Sequence, residues 1–177
     1  MATWSTRGHR GSTLQELINF SIEKYRERHL ALIQKIPTPI KPIQIEKESR
    51  HITLAYFDQK STVDYIGVVQ GIPVCFDAKE CAADTFPLAN IHAHQMSFMK
   101  EFEQQKGIAF LLLFYRSRDE IYYLPYRDAE HFWNRAEEGG RKSFTYEEID
   151  RTYRVSGTTG LPVHFLEQIQ KDLLERD

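Results

Sequence analysis

Two short apolar runs, VDYIGVV at 63–69 and PVCFDAK at 73–79, meet at Gln70-Gly71. Runs of this length, rich in β-branched and aromatic residues and joined at a Gly-containing step, read as neighbouring strands. The constraint lies in what interrupts them: Asp64, Asp77 and Lys79. A charge inside an apolar strand costs free energy unless it is paired, solvated or bound to a metal.

Strand side chains alternate between faces. Cys75, Asp77 and Lys79 therefore share one face of the second run, Val74, Phe76 and Ala78 share the other, and Glu80 points away from the charged pair. Asp64 shares a face with Ile66 and Val68. If the two strands pair as a hairpin, Asp64 and Asp77 come together beside Lys79. Paired carboxylates suit a hard divalent cation. Such an ion polarises a phosphate and lowers the pKa of a bound water, and the lysine can position or activate that water. The plainer reading is an ion pair between Asp77 and Lys79.

The rest of the chain supplies a sheet for these strands. Residues 12–29 carry Leu14, Leu17, Ile18, Ile22 and Tyr25 at helical spacing, with Ser12 or Thr13 as cap. A short strand at 31–36 precedes "PTPIKP", whose three prolines exclude a central strand. The segments 43–45 and 52–57 flank the charged turn "EKESR" and read as a hairpin that could project from the body. Residues 81–90 and the stretch "SGTTGLP" read as loops. Strands are expected at 108–115 and 120–126, and helices at 91–106, 128–138, 146–153 and 164–176. Strands clustered centrally among helices indicate one α/β or α+β sheet domain, a size that 177 residues suit.

On the helix at 91–106, Phe98, Met99 and Phe102 define the inward stripe, and Gln95 falls in its middle. A buried glutamine needs hydrogen-bond partners, so Gln95 either faces the charged site, holding a water or phosphate, or is a satisfied core residue. His92 and His94 lie on the stripe's two edges, and as H-x-H on a helix their rings should diverge too far for a zinc site.

Composition is that of an ordinary globular protein, 41% hydrophobic and 27% charged. The longest apolar stretch, 108–115, is too short to span a bilayer, and the start of the chain lacks the apolar stretch of a signal peptide. Two cysteines, Cys75 and Cys81, in no metal-binding spacing fit a reduced, cytoplasmic setting with no membrane partner. Net charge is −2, but residues 1–50 hold nine Lys/Arg against five Asp/Glu. That excess is either a phosphate-facing patch or a solvated helix face. Arg10, Lys35 and Lys41 are its candidate DNA contacts.

The segments "RGSTLQELI", "IQKIPTPI", "STVDYIGVVQGIPVCFDAKE", "FPLANIHAHQ" and "FWNRAEEGGRKSF" occur in the order found in the RecU Holliday-junction resolvases, and the chain resembles that family from about Arg10 to at least Phe144. The resemblance implies a PD-(D/E)XK, restriction-endonuclease-like core: a central mixed sheet flanked by helices, in one nuclease domain over residues 1–177. It also implies a homodimer, dependence on Mg2+ with Mn2+ as substitute, and paired symmetric nicking of four-way DNA junctions in recombination and repair. Residues 37–57 become a stalk entering the junction, and other recombination proteins are admissible partners. Asp64 matches the family's metal-binding aspartate, and Asp77 and Lys79 match its "EAK" motif, with Asp77 one methylene shorter than the usual glutamate. Where the family pattern has a glutamate on the first helix, this chain has Gln15, at the edge of the apolar stripe. The adjacent Glu16 turns to solvent. Gln15 offers a carbonyl oxygen to a water or metal but no charge. Asp64 and Asp77 are thus the expected metal ligands, Lys79 the catalytic cation, and Gln95 and Gln15 supporting site residues. Two rival readings are a weakened junction-binding protein, favoured by Gln15, and a nuclease of the same core acting on another DNA substrate.

Overall fold

The structure is a computed structural model that describes residues 13–58 and 62–176. Its centre is a seven-stranded sheet. In chain order the elements are α1 (Leu14–Glu27), β1 (Ala31–Lys35), β2 (Ile40–Ile45), β3 (Ile52–Phe57), β4 (Tyr65–Val69), β5 (Ile72–Cys81), β6 (Thr85–Pro87), α2 (Ala93–Gln104), β7 (Ile108–Tyr115), β8 (Glu120–Pro125), α3 (Tyr126–Glu137), β9 (Ser143–Thr145), β10 (Arg154–Thr158), β11 (Leu161–His164) and α4 (Leu166–Leu174). The strands run in the order β1-β4-β5-β7-β8-β10-β11. Among the described residues only β5 and β7 pair in parallel. This is the expected mixed sheet flanked by helices.

Each sheet face buries its own core. Leu14, Ile18 and Ile22 of α1 and Ile169 of α4 pack with Val74, Phe76, Phe110 and Leu112. Met96 and Met99 of α2 and Ala129 and Phe132 of α3 pack with Cys75, Leu111 and Leu113. Strand β7 thus feeds both cores alternately, which is why its sequence is apolar throughout. On the α1 face, Tyr65, Phe76, Phe110, Tyr123 and Tyr153 form a ladder of stacked rings, with successive centroids 4.7, 4.7, 4.2 and 5.5 Å apart. Cross-strand aromatic pairs of this kind fix register.

The turn between β4 and β5 forms where the sequence placed it. Gln70 and Gly71 both have positive φ, 49° and 88°, the geometry that suits a two-residue hairpin in a twisted sheet. The pair Val69↔Ile72 closes it. Helix α1 starts with Thr13 as N-cap and Glu16 completing a capping box, so Glu16 is solvent-facing as expected but ties down the first turn. Strands β2 and β3 form a two-stranded sheet of their own, with Ile40, Ile43, Ile45, Ile52, Leu54, Tyr56 and Phe57 all exposed. Pro42 lies within β2, where a register shift follows it.

Three expectations need correction. Residues 146–153 form two 3-10 turns, Tyr146–Glu148 and Arg151–Tyr153, rather than a helix. Asp150 caps Thr152 N, an alternative to helical hydrogen bonding that aspartate commonly takes. The stretch "SGTTGLP" lies within the hairpin β10–β11, turning through Gly160 at φ 80°. Its β-branched residues carried the strand signal that the glycines obscured. The segment 81–90 contains β6, paired with β9, and a 3-10 turn. No helix among the described residues is long and apolar enough to cross a membrane.

Gly67 is the tightest point of the sheet. A Cβ there would lie 2.3 Å from Leu32 O and 2.5 Å from Ile33 Cα, both backbone atoms of β1. Gly67→Ala must push β1 off the sheet edge, and overpacking of this kind costs about 1–3 kcal/mol. Thermal unfolding of the variant should show Tm lowered by roughly 5–10 °C; an unchanged Tm would mean that β1 yields freely.

Candidate active site

Antiparallel pairing of β4 with β5 sets Tyr65 opposite Phe76, so Asp64 enters the sheet beside Asp77. Each aspartate side chain accepts from the backbone of the opposite strand. Asp64 N donates to Asp77 Oδ1 at 2.7 Å, and Ala78 N donates to Asp64 Oδ2 at 3.0 Å. Asp77 is wholly buried. Lys79 Nζ stands 2.8 Å from Asp77 Oδ2, an ion-pair contact without hydrogen-bond geometry, so that buried oxygen has no hydrogen-bond partner among the described residues.

Helix α2 supplies Gln95 from the adjacent layer. It is buried, and its Oε1 accepts from Lys79 Nζ at 3.2 Å and from His92 N at 3.0 Å. The glutamine therefore ties Lys79 to the start of α2. The helix begins at Ala93 with His92 as its N-cap, so the two histidine rings do not diverge: they stack, with centroids 5.3 Å apart. Placing both on one helical wheel was the error.

Helix α1 supplies Gln15 from the opposite side. Its Nε2 donates to Asp64 Oδ2 at 3.4 Å, and its Oε1 accepts from Lys35 Nζ at 2.8 Å. Lys35 thus fixes the amide so that a donor, not the expected carbonyl oxygen, faces Asp64. That contact was hidden from the sequence, because it joins the end of β1 to α1. Tyr65 OH donates to Asn19 Oδ1 at 2.9 Å and seats α1 over the same spot. Lys41 lies on β2, ion-paired with Asp58 at 2.6 Å and outside these contacts. Arg10 lies outside the described residues.

Residues 9–171 match the family model described as RecU: Recombination protein U. The chain belongs to the RecU family. It is 39% identical over 173 residues to the Holliday junction resolvase RecU of Staphylococcus carnosus (strain TM300), covering 95% of this chain and 83% of that one. The Holliday junction resolvase RecU of Staphylococcus aureus (strain JH9) matches to the same extent. Among solved structures, the Hjc Holliday junction resolvase of Archaeoglobus fulgidus aligns with 63% of this chain and 78% of its own, at 8% identity and a TM-score of 0.38. At that distance it carries no argument.

In this RecU chain the electrostatics of the pair are set by burial. Desolvation raises the Asp77 carboxyl above its usual range, Lys79 pulls it down, and Asp64 pushes it up again. The balance is upward, so ionised Asp77 is held at a cost. A divalent cation relieves that cost, and hard oxygen ligands are what Mg2+-type ions take. Oδ2 of Asp77, which accepts no hydrogen bond among the described residues and is contacted by Lys79 Nζ, and the carboxylate of Asp64 fit such an ion. No third His, Cys, Asp or Glu completes a metal-holding group among the described residues.

The raised carboxyl fixes the sign of a pH effect. Native Asp77 holds its proton to higher pH than the unfolded chain does, so stability is lost as pH rises from the ordinary carboxylate range through the raised native value. Asp77→Asn removes that loss. In chelator, urea denaturation at pH 4 to 8 should show the variant gaining on the unsubstituted protein as pH rises. Parallel pH profiles would place Asp77 in an ordinary, solvated environment.

Proposed function

We propose that the protein is an endonuclease that resolves four-way DNA junctions by hydrolysing phosphodiester bonds, with Mg2+ as its metal and Mn2+ as a substitute. The observation that carries this reading is the convergence of Asp64, Asp77 and Lys79 where β4 meets β5, with Gln95 bracing the lysine. Membership of a family whose curated relatives are named Holliday junction resolvases supports the substrate.

Asp64 and Asp77 would hold the ion. When bound, it supplies a Lewis acid for the scissile phosphate and a more acidic water. The protein's own residues do the rest. Lys79 Nζ sits beside Asp77 Oδ2 at 2.8 Å, placed to bear on the attacking oxygen or on the negative charge carried by the phosphoryl oxygens. Gln95 accepts from it and holds it there. Water oxygen bonds to phosphorus, the bond from phosphorus to the leaving sugar oxygen breaks, and the proton released by the water ends on that oxygen through solvent. Gln15 orients Asp64. Lys35 and Lys41, with Arg10, are the proposed phosphate contacts, and such contacts make binding fall with salt.

Paired symmetric nicks require two such sites, hence a homodimer acting in the cytoplasm. Residues 37–57 are the proposed stalk of one nuclease domain. The separate β2–β3 sheet, exposed on both faces, is suited to probing a junction by shape, since such recognition needs no base-edge code. Cleavage of a synthetic four-way junction with Mg2+ or Mn2+ tests the proposal. Asp77→Ala should lower the rate on the order of a thousandfold, as expected when several kcal/mol of transition-state stabilisation are lost. Junction affinity in the presence of chelator should persist. Cleavage by the variant at the unsubstituted rate would remove Asp77 from the site.

A second reading, a junction-binding protein with weakened cleavage, is favoured by the donor end of Gln15 facing Asp64. Gln15→Glu separates the two. A carboxylate there adds a third negative charge facing the cation in a partly desolvated site. The Mg2+ concentration for half-maximal cleavage should fall. If it does not, Gln15 lies outside the metal's reach.

A further inference from the structure

The strand that presents Asp77 and Lys79 to one face presents Glu80 to the other, where it meets the start of α1. Glu80 Oε1 accepts from Leu14 N at 2.8 Å, across 66 residues of sequence. Glu80 Oε2 accepts from Arg116 Nε at 2.6 Å, and from Nη2 of the same guanidinium. Arg116 is anchored by its own backbone, whose N donates to Cys81 O at 2.9 Å. The carboxylate is thus held rigidly at the end of the β5–β7 pair.

The first turn of a helix has unpaired amides, and here they are divided between two systems. The capping box is internal: Thr13 N donates to Glu16 at 2.7 Å and Glu16 N to Thr13 Oγ1 at 3.3 Å. Leu14 N alone is given to the sheet. The next residue is Gln15, whose side chain reaches Asp64 and whose carbonyl accepts from Tyr65 OH at 3.4 Å. One peptide therefore separates the residue that Glu80 grips from the residue that touches the candidate site.

We propose that Glu80 is a positioning residue for cleavage, acting through Leu14 to hold Gln15 against Asp64; this rests on the nuclease reading above. The alternative is that Glu80 only stabilises the fold. The two differ in coupling. A positioning role through Gln15 vanishes when Gln15 is removed, whereas a purely structural role adds to it.

The test is a double-substitution cycle. Single-turnover cleavage of a synthetic four-way junction is measured with Mg2+ for the unsubstituted protein, Glu80→Ala, Gln15→Ala and the pair together, alongside junction affinity. Small misplacements of site groups cost rate steeply, so Glu80→Ala should slow cleavage roughly tenfold with affinity unchanged. In the Gln15→Ala background its effect should shrink to within about twofold, the margin at which independent sites add. Glu80→Gln, whose amide oxygen still accepts from Leu14 N, should recover most of the rate. Glu80→Asp keeps the charge but draws it back by one methylene, and it carries the same cycle if Glu80→Ala does not fold. Equal slowing in both backgrounds, or no slowing, overturns the proposal. An unsubstituted protein that leaves the junction intact overturns the nuclease reading instead. The cycle is then read in the rise of Tm with Mg2+ alone: coupling there sustains the link from Glu80 to Gln15, and additivity ends it.

Discussion

The parallel pairing of β5 with β7, in register from Val74↔Ile108 to Cys81↔Tyr115, sets the terms for the rest of the molecule. Parallel neighbours cannot be joined by a tight turn, so the chain must cross over between them. That crossover contains α2, and its start brings Gln95 to Lys79. On its other side β5 pairs antiparallel with β4 through a two-residue turn, which brings Asp64 to Asp77. One strand with two kinds of neighbour thus draws site residues from three consecutive segments, β4, β5 and the start of α2. Its alternation does the remainder, sending Asp77 and Lys79 to one layer and Glu80 to the other.

This arrangement places a wholly buried carboxylate in the middle of a sheet. Burial raises its pKa, and the nearby lysine only partly offsets that cost. The surrounding structure must therefore be stable enough to carry it. The stacked aromatic ladder and the apolar β7 lie directly beside β5, and aromatic pairs add to the stability given by buried area. Asp77 also accepts from Asp64 N, and Asp64 from Ala78 N, so each aspartate ties the two strands together.

Much of this was legible in the sequence because it depends on local rules. Alternation placed Asp77 and Lys79 on one face, Gln70-Gly71 marked the turn, and the apolar stripes put Gln95 inward and Gln15 at the edge of α1. The errors lie where local signals competed. Asp150 diverted a helix into 3-10 turns, and glycines masked the strands of β10–β11. What could not be read were contacts across long stretches of chain. Lys35, expected among the DNA contacts, holds the amide of Gln15, and Glu80, expected only to point away from the charged pair, accepts from Leu14 N.

The orientation of Gln15 shows what a neutral side chain does at this position. With Lys79 beside Asp77 and Lys35 on Gln15, two ammonium groups stand against two carboxylates. The metal-free site is balanced in charge, and its cost to the fold is chiefly desolvation, with repulsion between Asp64 and Asp77 added to it. A glutamate at 15 would leave three carboxylates against two ammonium groups, and like charges in a partly buried site raise one another's pKa. Such a site would bind a divalent cation more strongly and fold less readily without one. Because the Gln15 amide oxygen is occupied by Lys35, its amino group adds a hydrogen bond to Asp64 where a carboxylate would add repulsion. With a glutamine at 15 the site would therefore hold a divalent cation less strongly and be easier to fold empty.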